Sequence, residues 1–136
     1  MITSNKQYVA ATEQLAMLTA SLSSPKKKGV PELVEKAGKA QLQELISEIQ
    51  LNIEEYDALK DSKPSDIEIH SLDDLMVLPI RYRIAAHMSI DAFSRKVGVS
   101  ARQIARYERE SYQNTNSSTL RKILGVLDIH LDGKIA

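Results

Sequence analysis

Residues 89–109, SIDAFSRKVGVSARQIARYER, constrain the fold more than any other stretch of this chain. They read as two short helices joined at Gly98. Ala92, Phe93 and Val97 give the first an apolar face, and Val99, Ile104 and Tyr107 give one to the second. Ser100 opens the second helix, and Gln103 three residues later completes a capping box. The outer face of that helix carries Arg102, Gln103, Arg106 and Arg109. A helix with an apolar inner side and arginines plus an amide outside suits the major groove of DNA.

The remaining sequence narrows the alternatives. With 136 residues the chain has room for one domain, or one small domain and an appendage. It contains no tryptophan and one phenylalanine, so its core must come from aliphatic side chains and tyrosine rings. There is no cysteine, hence no disulfide framework and no thiolate metal site. The polar start MITSNKQYVA lacks the apolar core of a signal segment, and no apolar run approaches the roughly 20 residues that span a bilayer. The expectation is a soluble, cytoplasmic protein with no membrane association. His70, His87 and His130 share no metal-ligand spacing. No Gly-rich phosphate loop and no nucleophile paired with a histidine is visible, so neither a cofactor nor an enzyme activity is expected.

The formal net charge of zero conceals a division. Residues 1–75 carry 8 Lys and Arg against 13 Asp and Glu, whereas residues 76–136 carry 10 against 5. A basic half points to nucleic acid, and an acidic half is free to meet a basic partner.

Along the chain, Ser4 and Gln7 mark a helix start, after which Tyr8, Ala11, Leu15, Leu18 and Leu22 form one helical stripe. SSPKKKGVP, residues 23–31, ends that helix as an exposed connector. Its Lys26, Lys27 and Lys28 could serve as a phosphate-binding arm or simply as a soluble loop. A second helix runs from about Pro31 or Glu32 to about Leu59, loosened near Gly38, with a heptad-like seam of Leu42, Ile46, Ile49, Ile53 and Tyr56. That seam is too short for an independent coiled coil. The two helices should pack as an antiparallel hairpin or pair with a second chain. KDSKPSD, residues 60–66, is the domain boundary, separating a helical hairpin at 1–63, an interaction or dimerisation region, from a second domain at 67–136. Within the latter, Ile67–Ile69 could form a short extended piece. Ser71 and Asp74 cap a helix over 72–77, and Pro79 suits the first position of a further helix over 79–87. Asn116 or Ser117 caps a last helix over 118–127, after which Asp128 stands where glycine or asparagine is usual. The chain should be all-α.

The stretch LPIRYRIAAHMSIDAFSRKVGVSARQIARYERESY, followed by LRKILGVLDI, resembles the phage-repressor-like (XRE-type) helix-turn-helix family. Arg83, Ser89, Phe93, Val97-Gly98-Val99-Ser100, Ile104 and Tyr107-Glu108 carry the likeness, which covers about residues 72–131. It implies a five-helix, lambda-repressor-like DNA-binding domain acting on double-stranded operator DNA as a homodimer. It also implies that Ala101, Arg102 and Arg106 reach base edges, that Gln103 lies near the backbone, and that Arg83 and Glu108 form an internal salt bridge. The N–H groups freed at Ser100 can hold a phosphate, with Arg109, Asn114 and Arg121 as further phosphate contacts.

Two positions depart from the pattern. The resemblance also implies DNA contact at Ser89 and at the residue after this cap; that residue, often glutamine in the family, is Ile90, and His87 stands where glycine usually ends the preceding helix. A helical extension ending in ELISEIQLNIEEYDALK resembles, by order and helicity alone, that of host-inhibition-of-growth antitoxins. That likeness implies a basic, ribonuclease-type toxin held by the hairpin. Two readings stay open. One is a sequence-specific transcriptional regulator, a repressor or autoregulator and in its sharper form an antitoxin. The other is a protein-interaction module whose helix-turn-helix scaffold no longer reads DNA, since Ile90 and Ala101 cannot hydrogen-bond to it.

Overall fold

Short polar residues set where the helices begin. In the computed structural model, which describes residues 1–25 and 28–136, α1 spans Asn5–Leu22, α2 Glu32–Asp61, α3 Leu72–Ala85, α4 Ile90–Val97, α5 Ala101–Arg109 and α6 Ser117–Val126. Ser4, Ser71, Ser89, Ser100 and Asn116 each accept a hydrogen bond from the backbone N–H three residues on, satisfying a donor that the helix itself leaves unpaired. Helix α2 begins after Pro31 with Glu32 and Glu35 in its first turn, where carboxylates complement the helix dipole. It runs unbroken through Gly38. Lys26 and Lys27 lie outside the described residues.

The chain divides into two compact units, Met1–Ala58 and Leu59–Ala136. In the first, α1 and α2 form the expected antiparallel hairpin. Near the start of α1, the Tyr8 ring packs 5.4 Å from the Tyr56 ring near the end of α2. The Tyr8 hydroxyl donates to Asp57 Oδ2 at 3.4 Å, and the Asp57 charge holds the phenol above its usual pKa. Ile49 and Tyr56 are the buried residues of α2, whereas α1 has none. The stripe residues Leu15, Leu18, Leu22, Leu42, Ile46 and Ile53 are half-buried.

The second unit opens with a single 3-10 turn at Pro64–Asp66. Ile67 keeps extended dihedrals, but among the described residues no strand forms over 67–69. The expected division into helices at 72–77 and 79–87 is not found. Helix α3 is continuous across Pro79, so the unit has four α-helices where five were expected. Proline inside a helix removes one hydrogen bond and crowds the carbonyl four residues back. Here Leu78, Pro79 and Ile80 are all buried, and that packing outweighs the local penalty.

The core of this unit gathers Leu78, Ile80, Ile84, Phe93, Val97, Ile104, Tyr107, Tyr112, Ile123 and Leu127. Three helix ends close on left-handed residues. The N–H of Met88 reaches the Arg83 carbonyl, that of Val99 reaches Ser94, and that of Tyr112 reaches Tyr107, the six-to-one bond of a Schellman cap. The left-handed residues beneath those bonds are His87, Gly98 and Ser111, with φ of 56°, 74° and 52°. Asp128 after α6 is also left-handed, at 54°. The position of His87 thus keeps the glycine-like geometry without the glycine.

Candidate nucleic-acid interface

Helices α4 and α5 pack directly against each other around Phe93, Val97, Val99 and Ile104, all buried. The turn between them is made by Gly98. A Cβ there would meet Lys122 Nζ at 3.3 Å, and the backbone conformation already favours glycine. Lys122 donates to the Gly98 carbonyl at 3.0 Å, placing a cation at the negative end of α4. Nothing in the sequence spacing points to that bond, because its partners lie 24 residues apart.

A buried ion pair fixes α5 to α3. Arg83 Nε and Nη2 donate to Glu108 Oε2 and Oε1, both at 2.7 Å, as a parallel fork. Arg83 is 6% exposed and Glu108 8%. The remaining guanidinium nitrogen, Nη1, donates to the Met88 carbonyl at 3.1 Å, so the same arginine holds the loop ahead of α4. The pair that the family resemblance implied is present.

On this frame α5 buries Ile104, Tyr107 and Glu108 and exposes Arg102, Gln103, Arg106 and Arg109. None of these three arginines forms an ion pair within the described residues, so their charge is available to an external anion. The Arg106 guanidinium lies 5.2 Å from the centre of the Tyr107 ring, which restricts its rotamers. Ser100 is exposed and its Oγ accepts from the Gln103 N–H at 3.3 Å. The reciprocal arm of the expected capping box is absent, and the Gln103 side-chain amide is left toward solvent. Ala101, the first residue of α5, is half-buried.

The other expected contacts are more scattered along the chain. Ser89 is exposed and caps α4, Ile90 follows it half-buried, Asn114 is exposed in the loop after α5, and Arg121 is exposed on α6. Arg95 and Lys96 on α4, not anticipated from the sequence, are also exposed cations. Lys96 Nζ sits 5.5 Å over the Tyr82 ring. Two short helices joined at a left-handed glycine, with a cationic outer face on the second, define a helix-turn-helix.

Comparison with known proteins agrees on this point. Residues 80–134 match a family model described as helix-turn-helix. Over these residues the chain carries a helix-turn-helix domain similar to those of the phage-repressor-like (XRE) family of DNA-binding regulators. Comparisons with curated proteins and with solved structures found no match. No helix among the described residues is long and apolar enough to cross a membrane.

Proposed function

We propose that this protein is a sequence-specific, operator-binding repressor that acts as a homodimer and represses its own promoter. The observation that carries the reading is the outer face of α5, where Arg102, Gln103, Arg106 and Arg109 are exposed beside the capped helix start at Ser100. Arginine bonds guanine O6 and N7 in a fork, and one such contact discriminates bases by roughly 1–3 kcal/mol. Arg106, steadied on Tyr107, and Arg102 are assigned to base edges. Arg109, Asn114, Arg121 and the N–H groups under Ser89 and Ser100 are assigned to phosphates. Ile90 and Ala101 supply apolar contact only. One such helix reads a few base pairs, so a two-fold site with half-sites about one helical turn apart is the expected target.

The test is a mobility shift on the chain's own upstream DNA against scrambled DNA at two salt concentrations. A specific shift that weakens steeply with salt is expected. Arg106→Ala should cost about tenfold or more on the specific site and much less on scrambled DNA. Equal loss on both would remove the base-reading role. A salt-insensitive, sequence-blind interaction would favour the interaction-module alternative instead.

A second reading adds an antitoxin role. It is favoured by the exposed carboxylates Glu54, Glu55 and Asp57 near the end of α2, an unfavourable place for negative charge on the helix dipole unless a basic surface covers it. If a small basic ribonuclease is encoded beside this chain, equimolar protein should suppress its RNA cleavage. Charge reversal of Glu54 and Glu55 should restore cleavage.

A further inference from the structure

Helix α1 has one face too many. Its inner stripe, Tyr8 to Leu22, lies toward α2. The opposite side, which a two-helix hairpin leaves in water, would ordinarily be charged. Instead Lys6, Val9, Ala10, Glu13, Ala16, Met17 and Ala20 recur there at steps of three and four, and all seven are exposed. Met17 is 71% exposed and Val9 45%. Lys6 and Glu13 are the helix's whole complement of charge over 18 residues. A helix apolar on both sides belongs in a layer covered from both sides.

The two charges identify what covers it. Lys6 and Glu13 are seven residues apart, two turns along one face, and neither has an ion partner within the described residues. We propose that the outer face of α1 is the homodimer interface, pairing antiparallel across a two-fold axis near Val9 and Ala10. In that register Lys6 stands level with Glu13 of the partner subunit, and the symmetry makes the same pair twice. Val9 and Ala10 meet at the axis, and small alanines let the helices approach. A parallel pair would set Lys6 against Lys6 and Glu13 against Glu13, which like-charge repulsion opposes. In this register residues 5–14 of the two α1 helices overlap, while Ala16 and Met17 stand level with the residues that precede the partner's helix. This rests on the reading above that the protein acts as a dimer, and adds where the dimer forms.

Sedimentation equilibrium of the full chain tests the surface. The unchanged protein should be a dimer. Lys6→Glu and Glu13→Lys should each raise the dimer dissociation constant about tenfold or more, because each places like charges face to face twice. Mixing these two variants should restore dimers, now mixed ones, because every facing pair is again opposite in sign. Native mass spectrometry identifies them if one variant is isotope-labelled. Both substitutions are on exposed positions, so folding is preserved and circular dichroism verifies it. A monomeric unchanged protein would overturn the proposal, as would a dimer indifferent to both reversals. An indifferent dimer that still shifts its operator would sink only the α1 surface. An α1-dependent dimer with no DNA preference would sink only the repressor reading.

Discussion

The two units of this chain solve the same problem, burying aliphatic side chains with helices, and arrive at different degrees of completion. In Leu59–Ala136, four short helices close over a core in which Ile80, Phe93, Ile104, Tyr112 and Ile123 are essentially inaccessible. In Met1–Ala58, among the described residues, two longer helices bury only Ile49 and Tyr56, and Ile2 ahead of them is the one further buried hydrophobic residue. Length of helix is not what makes a core. Two cylinders touch along one line, whereas several short helices crossing one another enclose a volume. The C-terminal unit encloses its own core, whereas the hairpin leaves Val9, Met17, Leu33 and Leu51 exposed.

The largest effect should come from breaking the ion pair that ties α3 to α5. Arg83→Ala leaves the Glu108 carboxylate buried without a counter-charge, a loss of about 3–5 kcal/mol for such pairs. It also removes the bond to the Met88 carbonyl. Hydrogen exchange read by mass spectrometry should show protection collapsing across residues 72–127 while α1 and the first half of α2 keep theirs. Loss of protection in both units would mean that they fold as one.

Next in size is a matched pair of truncations. Ile104 is fully inaccessible, and Ile104→Ala should cost about 2–5 kcal/mol, the transfer term plus the cavity left behind. Leu18 is only half-buried on its stripe, and Leu18→Ala should cost about 1 kcal/mol on burial grounds. Urea denaturation measures both. If Leu18→Ala costs as much as Ile104→Ala, the seam between α1 and α2 is packed as closely as the C-terminal core.

How much of this was legible in the sequence depends on the range of the interaction. The caps at Ser4, Ser71, Ser89, Ser100 and Asn116 were readable because each is a bond over three residues. The apolar stripes of α1 and α2 were readable because helical spacing is local. The Arg83–Glu108 pair was legible only through family resemblance, since 25 residues separate its partners. Pro79 misled because its local preference, the first turn of a helix, was overruled by burial. The Lys122 bond to Gly98 left no trace in spacing at all. At the interface, the cationic face of α5 followed from periodicity. The missing half of the Ser100 capping box did not, because the Gln103 side chain is free to leave it.

A smaller, stabilising change should come at His87. Its φ of 56° is a left-handed conformation that costs a side-chain-bearing residue roughly 1–2 kcal/mol. Glycine removes that strain but has more freedom to lose on folding, about 0.5–1 kcal/mol. The side chain itself is exposed. His87→Gly should therefore raise the stability of the C-terminal unit by about 0.5–1 kcal/mol, seen as a higher urea midpoint with unchanged slope. A fall would show that the imidazole makes a contact of its own.

The smallest effect tests how dry the C-terminal core is. Tyr112 is inaccessible and its ring packs 5.7 Å from Tyr107, yet its hydroxyl has no hydrogen-bond partner among the described residues. Burial, followed by the Glu108 charge, pushes the phenol pKa well above its usual value. A group whose folded pKa is raised favours the folded state while both states are protonated. It loses that contribution as pH climbs past the unfolded value of about 10. Tyr112→Phe keeps the ring and deletes the unpaired oxygen, so at neutral pH stability should hold or rise by about 1 kcal/mol at most. Above pH of about 10 the unchanged protein should weaken in its C-terminal unit while Tyr112→Phe weakens less. Tyr8 ionises in the other unit and is not affected by the change, so exchange measured unit by unit separates the two. A loss beyond about 1 kcal/mol at neutral pH would mean the hydroxyl has a partner after all. The C-terminal core would then be less sealed, and the contrast with the hairpin less sharp.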